Sequence, residues 1–119
     1  MKVAIIGSRP GGNPAANDRR REAAREAVEA LPDGSVVISG GAHGVDLWAE
    51  EAALEKGLVV VRCIPPWSAL GKRAGMVRNA VIVDLCDRLI ALWDGESRGT
   101  KNAIEAAQRA GKPVEVIRG

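Results

Sequence analysis

The chain contains no tyrosine and no phenylalanine, so Trp48, Trp67 and Trp93 are its whole aromatic complement. Any base stacked on this protein would have to lie on one of them. It has one histidine and two cysteines without Cys-x-x-Cys spacing. That excludes the usual zinc frameworks, and no metal or other cofactor is expected. No uninterrupted apolar run approaches the length of a membrane span. Met1–Ile6 is too short for a signal peptide, so the expected compartment is the cytoplasm, with no membrane partner. In that compartment Cys63 and Cys86 read as small buried hydrophobes, one on a strand and one late in a helix. The formal charge of +2 is too small to indicate nucleic acid by itself, because non-specific duplex binding needs a dense basic face. Gly-x-Gly-x-x-Gly is missing after the first apolar run, and Gly71-Lys72 lacks the upstream glycine and the hydroxyl of a P-loop. NAD and ordinary ATPase chemistry are therefore disfavoured.

What is present is an alternation of two periods. Val3–Ile6, Val36–Ile38, Leu58–Ile64, Leu89–Trp93 and Val114–Ile117 are near-continuous apolar runs, the pattern of parallel strands buried on both faces. Four helices fit between them. The first is capped at Asp18 and carries Ala24, Val28 and Leu31 on one face. The second runs from about Val45 to Lys56, with Trp48 in its core stripe and Gly57 as its stop. The third covers about Ala74 to Leu85, although its Val81-Ile82-Val83 run has strand propensity. The fourth begins at Thr100 and ends at Gly111, with Pro113 behind it. The 119 residues suit one domain, 1–119. Right-handed crossovers then give a single Rossmann-like α/β fold: three α/β/α layers around a five-stranded parallel sheet of order 3-2-1-4-5, with four helices.

Ligands of such sheets sit beyond the carboxyl ends of the strands, at the switch point. Four segments emerge there: Gly7–Asn17, Ser39–Asp46, Pro65–Gly75 and Asp94–Thr100. They hold many of the chain's glycines, together with Arg9, Arg73, Arg78 and Arg98. Ser39-Gly40-Gly41-Ala42-His43-Gly44-Val45-Asp46 leads from a strand into a helix N-terminus, where backbone N–H groups and the helix dipole suit a phosphate. A tight turn needing glycine for geometry alone explains this segment equally well. Asp94-Gly95-Glu96-Ser97-Arg98-Gly99-Thr100 repeats the arrangement, and two such turns at one edge favour binding. The candidate ligand-binding residues are Gly7, Ser8, Arg9, Ser39, Gly40, Gly41, Gly44, Asp46, Arg78, Asn79, Asp94, Arg98, Gly99 and Thr100. Arg9 suits a phosphate or carboxylate, with a surface ion pair as the plain alternative. Asp46 also reads as a helix cap, His43 as a solvent-facing loop residue, Trp93 as core and Trp67 as exposed. No Ser-His-Asp or Cys-His arrangement assembles, so the site reads as built for binding first.

The order Gly7-Ser8-Arg9, Ser39–Asp46, Gly71-Lys-Arg-Ala-Gly75 leading to Arg78-Asn79, then Arg98-Gly99-Thr100 resembles the SLOG superfamily. That superfamily groups the Smf/DprA DNA-uptake proteins with the LOG phosphoribohydrolases, and its small YspA/YpsA-related branch looks most similar. The resemblance covers nearly the whole chain. It implies a Rossmann-like fold that binds nucleotides, nucleotide derivatives or nucleic-acid phosphates. In the LOG enzymes an arginine of the third-helix region and a glutamate just after the Gly-Thr pair cleave an N-glycosidic bond. Arg78 matches that arginine, but Lys101-Asn102-Ala103 follows Gly99-Thr100, with no glutamate before Glu105. The implied catalytic set is therefore Arg78 with Glu105 or Glu96, neither glutamate being a motif match. The expectation is a small nucleotide-like ligand bound in the manner of a sensor. N-glycosidic hydrolysis of a nucleoside 5′-monophosphate is the alternative, and single-stranded nucleic acid the less favoured partner. Homo-oligomerisation is left open.

Overall fold

Each strand of this protein is a short β-branched run that must bury both faces, and the computed structural model shows how it does so. The structure describes residues 1–65 and 67–119, and the side chains of Trp67 and Lys72 also lie outside the description. The expected exposure of Trp67 therefore falls outside the described residues. The elements follow in the order β1 (Lys2–Gly7), α1 (Pro14–Glu29), β2 (Val36–Ser39), α2 (Val45–Lys56) and β3 (Val59–Arg62). They continue with α3 (Trp67–Leu70), a 3-10 turn (Gly71–Arg73), α4 (Ala74–Leu85), β4 (Arg88–Trp93), α5 (Arg98–Arg109) and β5 (Val114–Arg118). All strand pairs are parallel and the sheet order is β3-β2-β1-β4-β5, as the sequence predicts.

Alternation along the strands divides the core in two. Val3, Ile5, Val37, Ile90 and Leu92 meet Ala24 and Val28 of α1 and Ala49 and Ala53 of α2. Ala4, Ile6, Ile38, Leu89 and Ala91 face the other way, onto Ile82 and Val83 of α4 and Ala103, Ile104 and Ala107 of α5. Trp48 and Trp93 pack at the margins of these two clusters. Cys86, the C-cap of α4, is buried in the second, and Cys63 lies just past the end of β3 and packs against it. Both cysteines are free.

The structure corrects the expected boundaries. Helix α1 starts at Pro14 instead of near Asp18, because Asn13 caps it: the Asn13 carboxamide oxygen accepts from the amides of Ala15 (3.0 Å) and Ala16 (3.3 Å). Asparagine before proline is a strong start signal, but the polar first turn offers no apolar period to reveal it. Helix α5 starts at Arg98 and is capped by Ser97, whose hydroxyl accepts from the Thr100 amide at 3.4 Å. Strand β3 is shorter than its apolar run, since it pairs with β2 only over Val36–Ser39. To the four long helices the fold adds α3, which with the 3-10 turn converts most of the Pro65–Gly75 segment into helical turns.

Gly7, at the carboxyl end of β1, fixes how closely α2 approaches the sheet. A Cβ there would lie 2.5 Å from Val45 Cγ2 and 2.7 Å from the carbonyl oxygen of Leu92. Backbone cannot yield as a flexible side chain does, so Gly7→Ala should cost about 3 kcal/mol by overpacking. Gly12, with open space around it, serves as the control. Chemical denaturation of both variants checks this, and equal stabilities would refute the packing account.

Candidate phosphate-binding cleft

The four edge segments surround an open cleft of about 580 Å³. Gly7, Arg9, Gly40, Gly41, Asp46, Arg78, Asn79, Asp94, Gly99 and Thr100 line it, as do Ile6, Ala42, His43, Pro65, Gly75 and Ser97. Of the residues singled out in the sequence, Ser8, Ser39, Gly44, Arg98, Glu96 and Glu105 do not line it. Ser8 is buried, and its hydroxyl accepts from the Asp94 amide at 3.1 Å, which staples the first loop to the fourth. Ser39 is also buried. Its hydroxyl donates to Glu50 Oε2 at 2.6 Å and accepts from the Gly41 amide at 3.0 Å. Glu96 and Glu105 are exposed.

Each glycine turn is closed by its own carboxylate. In the first, Asp46 Oδ2 accepts from the amides of Gly40 (3.0 Å) and Ala42 (3.3 Å). Asp46 is thus not the expected cap on α2, whose N-cap is Gly44 without a side-chain bond: it reaches back and fills part of the N–H cradle expected to be open. In the second, Asp94 Oδ1 accepts from the amides of Glu96 and Ser97, both at 2.8 Å. Those bonds hold the Asp94 carboxyl below its ordinary value, the Ser97 amide contributing most. Amides that remain open lie one step further on. Among the described residues, the Arg98 and Gly99 amides in the first turn of α5 have no acceptor, as helix geometry dictates for leading N–H groups. Gly44, at φ 90°, turns the chain into α2 in a conformation that disfavours side chains.

Arg78 crosses the cleft and is held at two points. Its Nε donates to Asn79 Oδ1 and its Nη1 to the carbonyl oxygen of Gly40, each at 2.9 Å. A Cβ on Gly40 would lie 2.5 Å from that Nη1 and 2.8 Å from Asp46 Oδ2, so a glycine is what lets the guanidinium lie across the turn. Asn79, itself buried, donates through Nδ2 to the Gly99 carbonyl oxygen (3.2 Å) and to Asn102 Oδ1 (3.0 Å). One polar chain thereby links the two glycine turns through α4. The Asn102 amide oxygen is thereby engaged.

Two further residues of this region were not legible in the sequence. Glu50, buried on α2, pairs with Arg62 of β3 at 2.5 Å while holding Ser39. Arg62 then lies over Gly41, with its Cδ 2.9 Å from the position a Cβ there would take. An acid inside an apolar helix stripe, with a basic residue ending the next strand, was the available signal. Among the described residues no cluster of three or more metal-ligating side chains occurs. The cleft gathers arginines and open amides, while its two carboxylates are engaged by backbone. Such a site can hold an anion.

Comparison with known proteins agrees with this architecture. The family model for DNA recombination-mediator protein A matches residues 1–66. Among solved structures, DNA processing protein A of Helicobacter pylori is 29% identical with a TM-score of 0.69, covering 98% of this chain and 64% of its own. The Streptococcus pneumoniae DprA (24% identity, TM-score 0.74) covers 99% of this chain and 50% of its own. The structural genomics target TM1055 (24%, 0.71) covers 95% and 71%. The chain thus spans less than two thirds of both DNA processing proteins. No curated protein matches at a significant level.

Burial pushes the Asp46 carboxyl up to about 6, against the opposing pull of the Ala42 amide, Arg78 and the Gly40 and Gly7 amides. In the unfolded chain it reverts to 3.8. Between these values the native state holds a proton that the unfolded chain has lost. The group's contribution to stability is therefore largest below 3.8 and falls as pH rises to about 6, by about 3 kcal/mol in all. Urea denaturation of wild type and Asp46→Asn from pH 4 to 7 tests it. The stability of wild type relative to the variant should decline across that range and then level off; a constant difference would contradict the assignment.

Proposed function

We propose that this chain, which belongs to the DNA recombination-mediator protein A family within the SLOG superfamily, binds the phosphate of a nucleotide or nucleotide derivative in this cleft. The observation that carries the reading is Arg78, fixed by Asn79 and by the Gly40 carbonyl oxygen, with its remaining N–H groups unspent. A guanidinium already immobilised loses little entropy on pairing, and its fork matches two phosphate oxygens. Arg9 and the leading amides of α5 border the same space and supply further donors. The cleft volume of about 580 Å³ suits a small-molecule ligand. Gly7, Gly40, Gly41 and Gly99 allow close approach, and Asn79, Asp94 and Thr100 complete the lining. Ser8, Ser39, Asp46 and Gly44 shape the loops, and Arg98 stands at the rim. Hydrolysis is the weaker reading, because the candidate acids Glu96 and Glu105 lie outside the cleft.

Single-stranded DNA presenting the same phosphates is a second reading, favoured by the family and by the H. pylori protein, which has a single-stranded DNA binding mode. Trp93 donates its Nε1–H to the Ser97 carbonyl oxygen at 3.0 Å and carries Arg118 over its ring at 5.3 Å, and Trp48 packs on the α1–α2 cluster. Neither is free to stack a base. With no other tryptophan, tyrosine or phenylalanine ring among the described side chains, contact between these and a strand would run through its phosphates, with affinity falling steeply in salt.

Thermal-shift and binding measurements with nucleoside phosphates and with an oligothymidylate test both readings. Arg78→Ala should weaken binding about 10- to 100-fold, the worth of a charge-assisted hydrogen-bonded pair. Binding of the mononucleotides supports the first reading, and salt-sensitive binding of the oligomer alone supports the second. No binding by either ligand class at low salt would overturn both.

A further inference from the structure

The side chains of the cleft offer donors freely and acceptors sparingly. Asp46 is buried, and its Oδ2 is taken by the Gly40 and Ala42 amides. The Asn79 side-chain oxygen takes Arg78 Nε, and the Thr100 hydroxyl is bonded to that of Ser97. Asp94 differs. It lines the cleft just past the carboxyl end of β4, is only partly buried, and uses its two oxygens unequally. Oδ1 is filled by the Glu96 and Ser97 amides, both at 2.8 Å. Among the described residues no amide reaches Oδ2, and the Ser8 hydroxyl is the one side-chain donor that bears on the carboxyl, with Arg20 acting through charge at longer range. An ionised carboxylate has about four lone-pair sites, so Oδ2 keeps an open one. The turn amides, that of Ser97 first, hold the group below its ordinary value, and it is therefore an anion at neutral pH.

An open anionic acceptor is a costly neighbour for a bare phosphate. The free Arg98 and Gly99 amides follow Asp94 by four and five residues, across the turn that its Oδ1 closes. A phosphate on those amides meets a like charge close by, in a cleft where water screens less than in bulk. A ligand that carries hydroxyls beside its phosphate meets the opposite. A hydroxyl donates to Oδ2 while the phosphate takes the amides and Arg78, and such a bond to a carboxylate is charge-assisted. Acidic residues at the edge of other parallel nucleotide-binding sheets hold ribose hydroxyls in this way. We propose that Asp94 is a specificity-determining residue of the cleft: its Oδ2 accepts from a ribose hydroxyl, which selects a ribose phosphate over a phosphate without neighbouring hydroxyls, DNA backbone included. The inference rests on the phosphate reading of the cleft and narrows it. It also gives the cleft's two carboxylates different duties, since Asp46 is enclosed and only Asp94 retains an acceptor within reach of a ligand.

Calorimetric titration of the whole chain at low salt tests it, with the common ribonucleoside 5′-monophosphates and their 2′,3′-dideoxy counterparts as probes. Each pair shares base and phosphate and differs only in hydroxyls. The ribose forms should bind about 10- to 100-fold more tightly, the worth of one hydrogen bond to a charged group. Asp94→Asn keeps a side-chain oxygen for the Glu96 and Ser97 amides and puts an NH2 donor in place of Oδ2. It should weaken the ribose forms about 10- to 100-fold and leave the dideoxy forms equal or tighter, so that the preference disappears. A purely structural role would weaken both forms alike. The wild-type comparison needs no variant, so the test holds even where circular dichroism finds Asp94→Asn unfolded. Equal binding of both forms, lost in Arg78→Ala, overturns the proposal and leaves the phosphate reading standing. A preference for ribose that persists in folded Asp94→Asn overturns it too. Absence of binding by every nucleotide overturns the phosphate reading and this proposal with it.

Discussion

The cleft depends on a carboxylate that the fold has moved inside. Asp46 sits in the first turn of α2, yet its oxygen is spent on the amides of Gly40 and Ala42, in the turn that leads into that helix. The turn is held shut, its closest approach is reserved for Arg78, and the carboxyl bears the desolvation that burial imposes. Asp94 does the same for the second turn, where the Ser97 amide above all holds its less buried carboxyl below the ordinary value. Glycine turns at a parallel-sheet edge are usually described as sources of amide donors. Here three successive donors of the first turn, the Gly40, Gly41 and Ala42 amides, are consumed locally, and the cleft also gathers arginines and the start of α5.

The second constraint is the chain of side-chain bonds that runs from Gly40 through Arg78 and Asn79 to Asn102 and Gly99. It joins the turns after β2 and β4, which lie on opposite sides of central strand β1. Ser8 performs the matching junction below, between the β1 and β4 loops. A buried network of this kind is useful only when every member is satisfied, and Asn102 completes it. Asn102 thus fixes Asn79, and through it Arg78.

The helix that carries Arg78 meets two demands. Its inner side builds the core and the cleft wall, and its outer side is apolar where solvent-facing helices are charged. On propensity its Val81-Ile82-Val83 run belongs in a strand, and the structure nevertheless forms a helix there because Ile82, Val83 and Cys86 bury together at helical spacing. Tertiary burial outweighs a local preference worth less than about 1 kcal/mol.

Strand order, parallel pairing and the division into two core faces were legible in the chain because each follows from a period: two for the strands, 3.6 for the helices. The location of the cleft followed from the same reasoning, since glycines and arginines collect at the ends of alternate runs. Helix starts were less legible. Asn13-Pro14 and Ser97 act through single hydrogen bonds that leave no periodic trace, and α3 is too short to have a period. The state of each polar group at the site was not legible at all. Whether Ser8 and Ser39 meet a ligand or the interior, and whether an amide stays open, depends on partners distant in the chain. Ser8 and Asp94 are 86 positions apart, and Asn79 and Asn102 are 23 apart. The sequence by itself determined which residues reach the carboxyl edge of the sheet, because periodicity is a local property. Only the tertiary structure decided which of their donors and charges remain unspent, because hydrogen-bond occupancy is settled by whatever the fold brings alongside.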